Sequence, residues 1–327
     1  MLTSKIHLLS ISVSVLLTGC QQRPATNCAG KIIYAAPDGK SHDIYSIDPD
    51  GTNLQRLTDN DTFDGTPVIS PQQDKIAFSS YDGENSSLRI MNVDGTSKVK
   101  VIDSKNFLSF PLWSHRENSF VFLQNEGSNL RELKELSLDT PEAVKAIQLD
   151  FPDSFTAHSL SRSPNGKFVA FGSLTAWRGG THVHVIDLST QTITNLTQQI
   201  GIASDPHWSP DGTSLVFVGA QQEPILEGGM SEIYTMHRSG ADLKAIDVDL
   251  RGQKSQPVWS PDGASIAFIN ARNAIYSVNL DGSDLKKLTD LDDGSNSQVS
   301  VYEADLDWQA IPCSSIATRT QSNRLIH

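Results

Sequence analysis

Positive charge is scarce in this chain. Its 327 residues carry 26 Lys and Arg against 38 Asp and Glu, for a formal net charge of −12. Nucleic-acid recognition rests on clustered Lys and Arg that neutralise phosphates. No such stripe is present, so that class is set aside. The catalytic signatures that spacing alone can reveal are missing too: no Gly-x-Ser-x-Gly elbow, no His-Glu-x-x-His and no phosphate-cradling glycine loop. Cysteine is sparse, with three residues, Cys20, Cys28 and Cys313. Long apolar runs are absent as well. The most apolar stretch, residues 6–17, is broken by His7, Ser10, Ser12 and Ser14 and is too short to span a bilayer.

What the chain has in plenty is repetition. QPVWSPDGASIAF at 256–268 is echoed by DPHWSPDGTSLVF at 205–217, TPVISPQQDKIAF at 66–78, FPLWSHRENSFVF at 110–122 and SLSRSPNGKFVAF at 159–171. In Ser209-Pro210-Asp211-Gly212 the proline sits where a type I turn wants φ near −65°. The glycine takes the fourth position, where positive φ costs little. A turn this tight joins antiparallel strands, so each copy predicts a hairpin. Its second strand is apolar without alternation, which predicts burial on both faces. Downstream, IYSVNLDGSDLKKLT at 275–289 and IYSIDPDGTNLQRLT at 44–58 supply a third strand, an Asp-Gly turn and a fourth strand, with weaker copies at 88–102, 183–197 and 233–246. Four strands per unit at a fixed period are the signature of a β-propeller blade.

The position held by Trp in the first strand counts the units. Ile69, Trp113, Arg162, Trp208, Trp259 and Trp308 occupy it, at steps of 44, 49, 46, 51 and 49 residues. The expected fold is therefore an all-β, six-bladed propeller of four-stranded antiparallel blades. Residues 306–309 form a first strand without a partner after it, and residues 31–34 a second strand without one before it. Sharing one blade between the two ends would close the ring and remove its exposed edges. The expected domain is 28–313, with a polar tail at 314–327.

Ahead of it, Lys5 and the apolar run end in Leu17-Thr18-Gly19-Cys20, which resembles the bacterial lipoprotein signal Leu-x-Gly-Cys. The resemblance implies a signal peptide at 1–19, lipid on Cys20 and a short tether at 20–27. Gln21 stands where Asp would favour inner-membrane retention, which implies an outer-membrane address facing the periplasm. Losing Lys5 with the leader takes the charge to −13. Cys28 and Cys313 then remain in a compartment where disulfides persist. Both fall where the other blades carry Ser-Pro-Asp-Gly turns, so a structural clasp is preferred to a metal pair or reactive thiols.

Candidate sites divide by face. The first and third turns are tight, while the opposite end carries the long segments 150–158, 172–181, 219–231 and 289–301. Trp177, Arg178 and Ile225 lie on these segments and are the residue types that carry interface energy, against the alternative that the loops only cap the ring. Asp64, His158, Asp205, Gln256, Glu303 and Asp305 precede or begin innermost strands and could ring the channel mouth. There they would bind a cation or basic peptide, or only solvate a polar channel. His182 and His184 share a strand face and could chelate a metal, but no third ligand is readable and a structural role is preferred. The run from Asp59 to Gly65 nearly spells a calcium loop, yet Phe63 takes a ligand position, so an inter-blade turn is the better reading.

Trp-Ser-Pro-Asp-Gly, Ile-Ala-Phe, Ile-Tyr-x-x-Asn-x-Asp-Gly and Leu-x-x-Leu-Thr together resemble the WD-like propeller of the TolB family, over nearly all of the mature chain. The likeness covers the propeller only, because the chain has a lipid signal and no room for that family's amino-terminal α/β domain. Related propellers also serve as noncatalytic domains of peptidases and in sugar lyases. Two functions are carried forward. The preferred one is a lipid-anchored envelope module that binds a protein or peptide on its long-loop face, without cofactor, metal or enzymatic activity, touching the membrane only through its anchor. The other is a hydrolase or lyase acting on a carbohydrate or lactone at the channel.

Overall fold

The computed structural model describes residues 30–38, 40–114, 118–126, 130–141, 143–147, 155–175, 181–220, 231–270, 274–291 and 306–309. Every regular element among them is a strand, and none is a helix long and apolar enough to cross a membrane. The first strands are β1 (Lys31–Pro37), β2 (His42–Ile47) and β3 (Gln55–Arg56), followed by β4 (Phe63–Ile69), β5 (Lys75–Tyr81), β6 (Ser86–Asn92) and β7 (Val99–Ser104). Four further sheets repeat the pattern of the last four. They are β8 (Leu108–Trp113) to β11 (Val144–Ala146) through β9 (Ser119–Glu126) and β10 (Leu130–Ser137), and β12 (Phe155–Arg162) to β15 (Thr192–Asn195) through β13 (Phe168–Thr175) and β14 (Thr181–Asp187). After these come β16 (Ile202–Trp208) to β19 (Lys244–Ile246) through β17 (Ser214–Ala220) and β18 (Glu232–His237), and β20 (Lys254–Trp259) to β23 (Lys286–Asp290) through β21 (Ser265–Asn270) and β22 (Ala274–Asn279).

Within each sheet, sequence neighbours pair antiparallel. The last described strand, β24 (Leu306–Gln309), pairs antiparallel with β1, Lys31 opposite Gln309 and Tyr34 opposite Leu306. A single parallel bridge, His42 to Phe63, joins the sheet β24-β1-β2-β3 to β4-β5-β6-β7. This all-β arrangement of four-stranded antiparallel sheets is that of a β-propeller.

Turn chemistry explains the hairpins. The Gly212 amide donates to the Ser209 carbonyl at 2.8 Å, with Gly212 at φ 70°. Asp211 clamps the turn by accepting from the Ser209 hydroxyl at 2.6 Å and the Thr213 amide at 2.9 Å. These donors hold its carboxyl below the usual range. Gln73 occupies the glycine position of its own copy at φ 62°, an unfavourable geometry for a side chain. The Asp-Gly turn meets a different demand. A Cβ on Gly282 would lie 2.2 Å from the Asp247 carbonyl of the preceding sheet, so the turn packs there only as glycine.

Second strands are buried on both faces, as in the unbroken burial of β17 from Leu215 to Ala220. Between neighbouring sheets the apolar side chains gather into clusters: Trp208, Leu215 and Phe217 meet Ala170, Val183 and Leu196, and Phe268, Ile266 and Trp259 meet Val216 and Ile233. Trp308 and Ile32 likewise pack with Val258, Ile269 and Leu288, which brings the first and last described strands against the β20–β23 sheet. Each buried Phe or Leu contributes about 1.5–3 kcal/mol by leaving water. Trp Nε1 groups tie the sheets together: Trp113 donates to the Val68 carbonyl at 3.1 Å and Trp259 to the His207 carbonyl at 3.3 Å.

Candidate functional site

The inner strands share one irregularity. Register slips between Gly65 and Val68, Ser109 and Leu112, His158 and Ser161, Ser204 and His207, and Ser255 and Val258. At each slip the first bulged residue has positive φ: Thr66 47°, Phe110 52°, Ser159 51°, Asp205 53° and Gln256 51°. The second is Pro67, Pro111, Pro206 or Pro257 in four cases and Leu160 in the fifth. Proline suits that place, since it has no N–H for the ladder to miss and disfavours the right-handed helical region for the residue before it. A side chain held at positive φ costs of order 1–3 kcal/mol, which the surrounding sheets must supply.

At these bulges polar side chains reach sideways to the neighbouring inner strand. Thr66 Oγ1 accepts from the Phe110 amide at 3.3 Å. The Ser159 hydroxyl donates to Asp205 Oδ1 at 2.7 Å, and the other carboxylate oxygen of Asp205 accepts from the Gln256 amide at 3.2 Å. Two residues further along, Ser161 Oγ accepts from the Trp208 amide at 3.2 Å and Asp307 Oδ2 from the Ile69 amide at 2.8 Å. The polar groups of the inner wall thus serve to join one sheet to the next.

The cavity they surround is lined by Thr66, Phe110, Ser159, Asp205, His207 and Gln256, with the bulge prolines between them. It has about 60 Å³ of room for water-sized centres. At about 10–15 Å³ per site that is space for a few waters. His207 faces it, and burial pulls its pKa down to about 4, so its ring is neutral at pH 7. Its Nε2 lies 4.0 Å from Asp307 Oδ1, and with a neutral ring this contact is not an ion pair.

Asp205 and Gln256 line this cavity. Asp64 does not. It is buried at the start of β4, where it accepts from Asn60 Nδ2 at 2.9 Å and from the Thr62 hydroxyl at 2.8 Å. His158 lies in β12 opposite Gly172. Glu303, Asp305, Trp177, Arg178, Ile225, Cys20, Cys28 and Cys313 lie outside the described residues. Thr66, Phe110, Ser159 and His207 also line the cavity, and no motif in the sequence marked them. The available signal was a proline inside an apparent strand, which marks a bulge.

The remaining candidates have structural partners. His184 stacks on Phe171 at 5.4 Å and 18°, in the place where Tyr234 stacks on Phe217 and Tyr276 on Phe268. Its Nδ1 lies 3.1 Å from Ser173 Oγ, and burial lowers its pKa to about 4. In the run from Asp59 to Gly65, Asn60 Oδ1 accepts from the Thr62 amide at 2.8 Å and Asp59 pairs with Arg56 at 3.1 Å. These oxygens are turned onto the chain itself. Among the described residues no group of three or more His, Cys, Asp or Glu is placed to hold a metal ion.

A family model for the TolB beta propeller domain matches residues 82–302. Among curated proteins, the chain is 38% identical over 64 residues to an uncharacterized peptidase of Bacillus subtilis, YuxL, covering 20% of this chain and 9% of that protein. It is 30% identical over 113 residues to the TolB homolog of Chlorobium luteolum, covering 34% and 23%. The chain thus matches well under two thirds of the length of these relatives. Among solved structures, TolB from Acinetobacter baumannii superposes with a TM-score of 0.67 at 18% identity, covering 86% of this chain and 67% of that one. An oligogalacturonate lyase in complex with manganese superposes with a TM-score of 0.53 at 12% identity, covering 74% and 70%. At these identities the structural likenesses speak for the fold alone. On the family match, which takes in more than half of its length, the chain belongs to the TolB beta propeller domain family.

Proposed function

We propose that this chain is a six-bladed, lipid-anchored propeller of the bacterial cell envelope that binds a protein or peptide on the end bearing its long loops. The observation that carries the binding role is the commitment of the inner wall. Asp205 faces the cavity and accepts from the Ser159 hydroxyl and the Gln256 backbone amide, so its carboxylate serves to join three neighbouring sheets. The likeness to TolB supports an envelope location and a protein-interaction role. Six blades are supported by the β24–β1 pairing and by the cluster that joins β1 and β24 to the β20–β23 sheet. The Cys28–Cys313 clasp is supported by the register of Lys31 with Gln309, which pairs the two ends of the described chain. Lipid attachment at Cys20 and the outer-membrane address rest on the residues 17–21 of the sequence.

Trp177, Arg178 and Ile225 are the proposed contacts. They belong to the β13–β14 and β17–β18 connections, on adjacent sheets. A Trp177→Ala, Arg178→Ala double variant should keep its thermal stability within about 1 kcal/mol, as surface changes do, and lose cross-linked capture of its envelope partner. A variant that unfolds makes the loops structural. A measurable turnover lost in Asp205→Asn or Glu303→Gln makes the protein an enzyme.

A further inference from the structure

Two aromatic pairs, joined by one cross-strand register pair, stand on the end of the propeller that carries the long loops. His42 at the start of β2 meets Phe63 at the start of β4 edge-on, with centroids 5.4 Å apart at 80°. Phe63 is the cross-strand partner of Tyr81, and Tyr81 meets Phe107, just ahead of β8, at 6.2 Å and 67°. The row crosses three successive repeats. Phe63 is 50% exposed and Phe107 45%, two of the few large apolar side chains left in solvent among the described residues. Both stand six residues before the Trp position of their repeats, where Ile202 and Gln253 stand in two others. The fold therefore does not require an aromatic there.

We infer that this row is a docking strip for an extended peptide segment of a partner protein in which apolar residues alternate with arginine or lysine. The inference rests on the proposed binding role and names the chemistry of its partner. Charge argues for the cationic half. Exposed Asp61 precedes Phe63, and exposed Asp82 and Glu84 follow Tyr81. The amides of Asn85 and Glu84 donate to Asp82 and hold its carboxyl below the usual range. Of the nearby cations Lys40, Arg56 and Lys105, Arg56 is engaged by Asp38, Asp43 and Asp59. A guanidinium that stacks on a ring and reaches a carboxylate satisfies both features of the strip. A lipid surface fits less well. The strip is acidic, and it lies at the end of β1 away from Lys31 and Gln309, where the described chain enters and leaves.

The test uses the mature protein and three fluorescein-labelled heptapeptides, alternating Leu/Arg, Ser/Arg and Leu/Glu, with Kd read by anisotropy. The Leu/Arg peptide should bind at least tenfold more tightly than either control. Phe63→Ala with Phe107→Ala should weaken it tenfold or more, as should Asp61→Lys with Glu84→Lys, while Phe63→Tyr with Phe107→Tyr should bind as the parent does. Circular dichroism and melting temperature confirm that each variant is folded. Equal binding of the Leu/Arg and Ser/Arg peptides overturns the proposal, because charge alone would then explain it. So does an unchanged Kd in the alanine pair, or ring-dependent binding to phosphatidylglycerol vesicles in place of peptide. If the peptides fail while capture that depends on Trp177 and Arg178 persists, this strip falls and the envelope-binding role stands.

Discussion

The Asp307 carboxylate accepts the amide hydrogen of Ile69 at 2.8 Å, across 238 positions of sequence. Asp307 is almost fully buried, and its inner strand belongs to the sheet that begins the described chain. Ser161 makes the same bond to Trp208 between two central repeats, so the contact at the chain's ends follows the pattern of the interior.

Removing that acceptor should be costly. Asp307→Ala leaves the buried Ile69 amide without its partner, which typically costs about 1–3 kcal/mol, whereas Asp307→Asn keeps an acceptor and should cost less. Urea unfolding midpoints separate the two. An alanine variant within about 0.5 kcal/mol of the parent, well below that penalty, would show that this junction adds nothing to stability.

Two turn substitutions should move stability in opposite directions. Gly282→Ala drives a methyl into the Asp247 carbonyl and should destabilise by about 1–3 kcal/mol or more. Gln73→Gly relieves a side chain at φ 62° and should stabilise by up to about 1 kcal/mol. Thermal melts read both, and a destabilised Gln73→Gly contradicts the account of the turn.

Acid should weaken the fold through buried His184 and partly buried His207. Burial brings His184 and His207 to about 4, whereas an unfolded histidine titrates near about 6.5. Between those values the unfolded chain binds protons that the folded one refuses. Their stabilising contribution is therefore present above pH 6.5 and is lost as pH falls toward 4, by at most about 1.4 kcal/mol per pH unit for each histidine. His184→Phe keeps the stack on Phe171 and should flatten stability against pH in that window. An unchanged slope would show that His184 carries none of it.

Cys20→Ser should move the protein from the membrane to the soluble periplasmic fraction, and non-reducing peptide mapping of the parent should find Cys28 linked to Cys313. A mutant that stays with the membrane removes the anchor, and free thiols at both positions remove the clasp.

The repeat made most of the architecture legible, because unbroken apolar second strands, Ser-Pro-Asp-Gly turns and the Trp position each have a local physical cause. The pairing of β1 with β24 was legible for the same reason, since each end offered half a unit. The channel wall was harder to read. Thr66, Phe110 and Ser159 take positive φ because the bulge of the inner strand imposes it, against their own preference, and only the prolines that follow two of them hinted at it. Asp64 began an inner strand as expected, but its carboxylate closes onto Asn60 and Thr62, a local turn whose geometry the spacing did not reveal. His184 carried a metal possibility in sequence, yet its neighbour Phe171 across the sheet makes it the equivalent of the tyrosines in other repeats.

The most direct test of the binding role places a photocrosslinking phenylalanine at Trp177 or Phe107 on the loop-bearing end, and at Leu54 or Leu243 beside the tight turns, in living cells. Leu54 and Leu243 are exposed, as Phe107 is, so accessibility is matched among these three. The account predicts that one envelope protein is captured from Trp177 or Phe107 and not from the turn positions. Capture of the same protein only from Leu54 or Leu243 would contradict it.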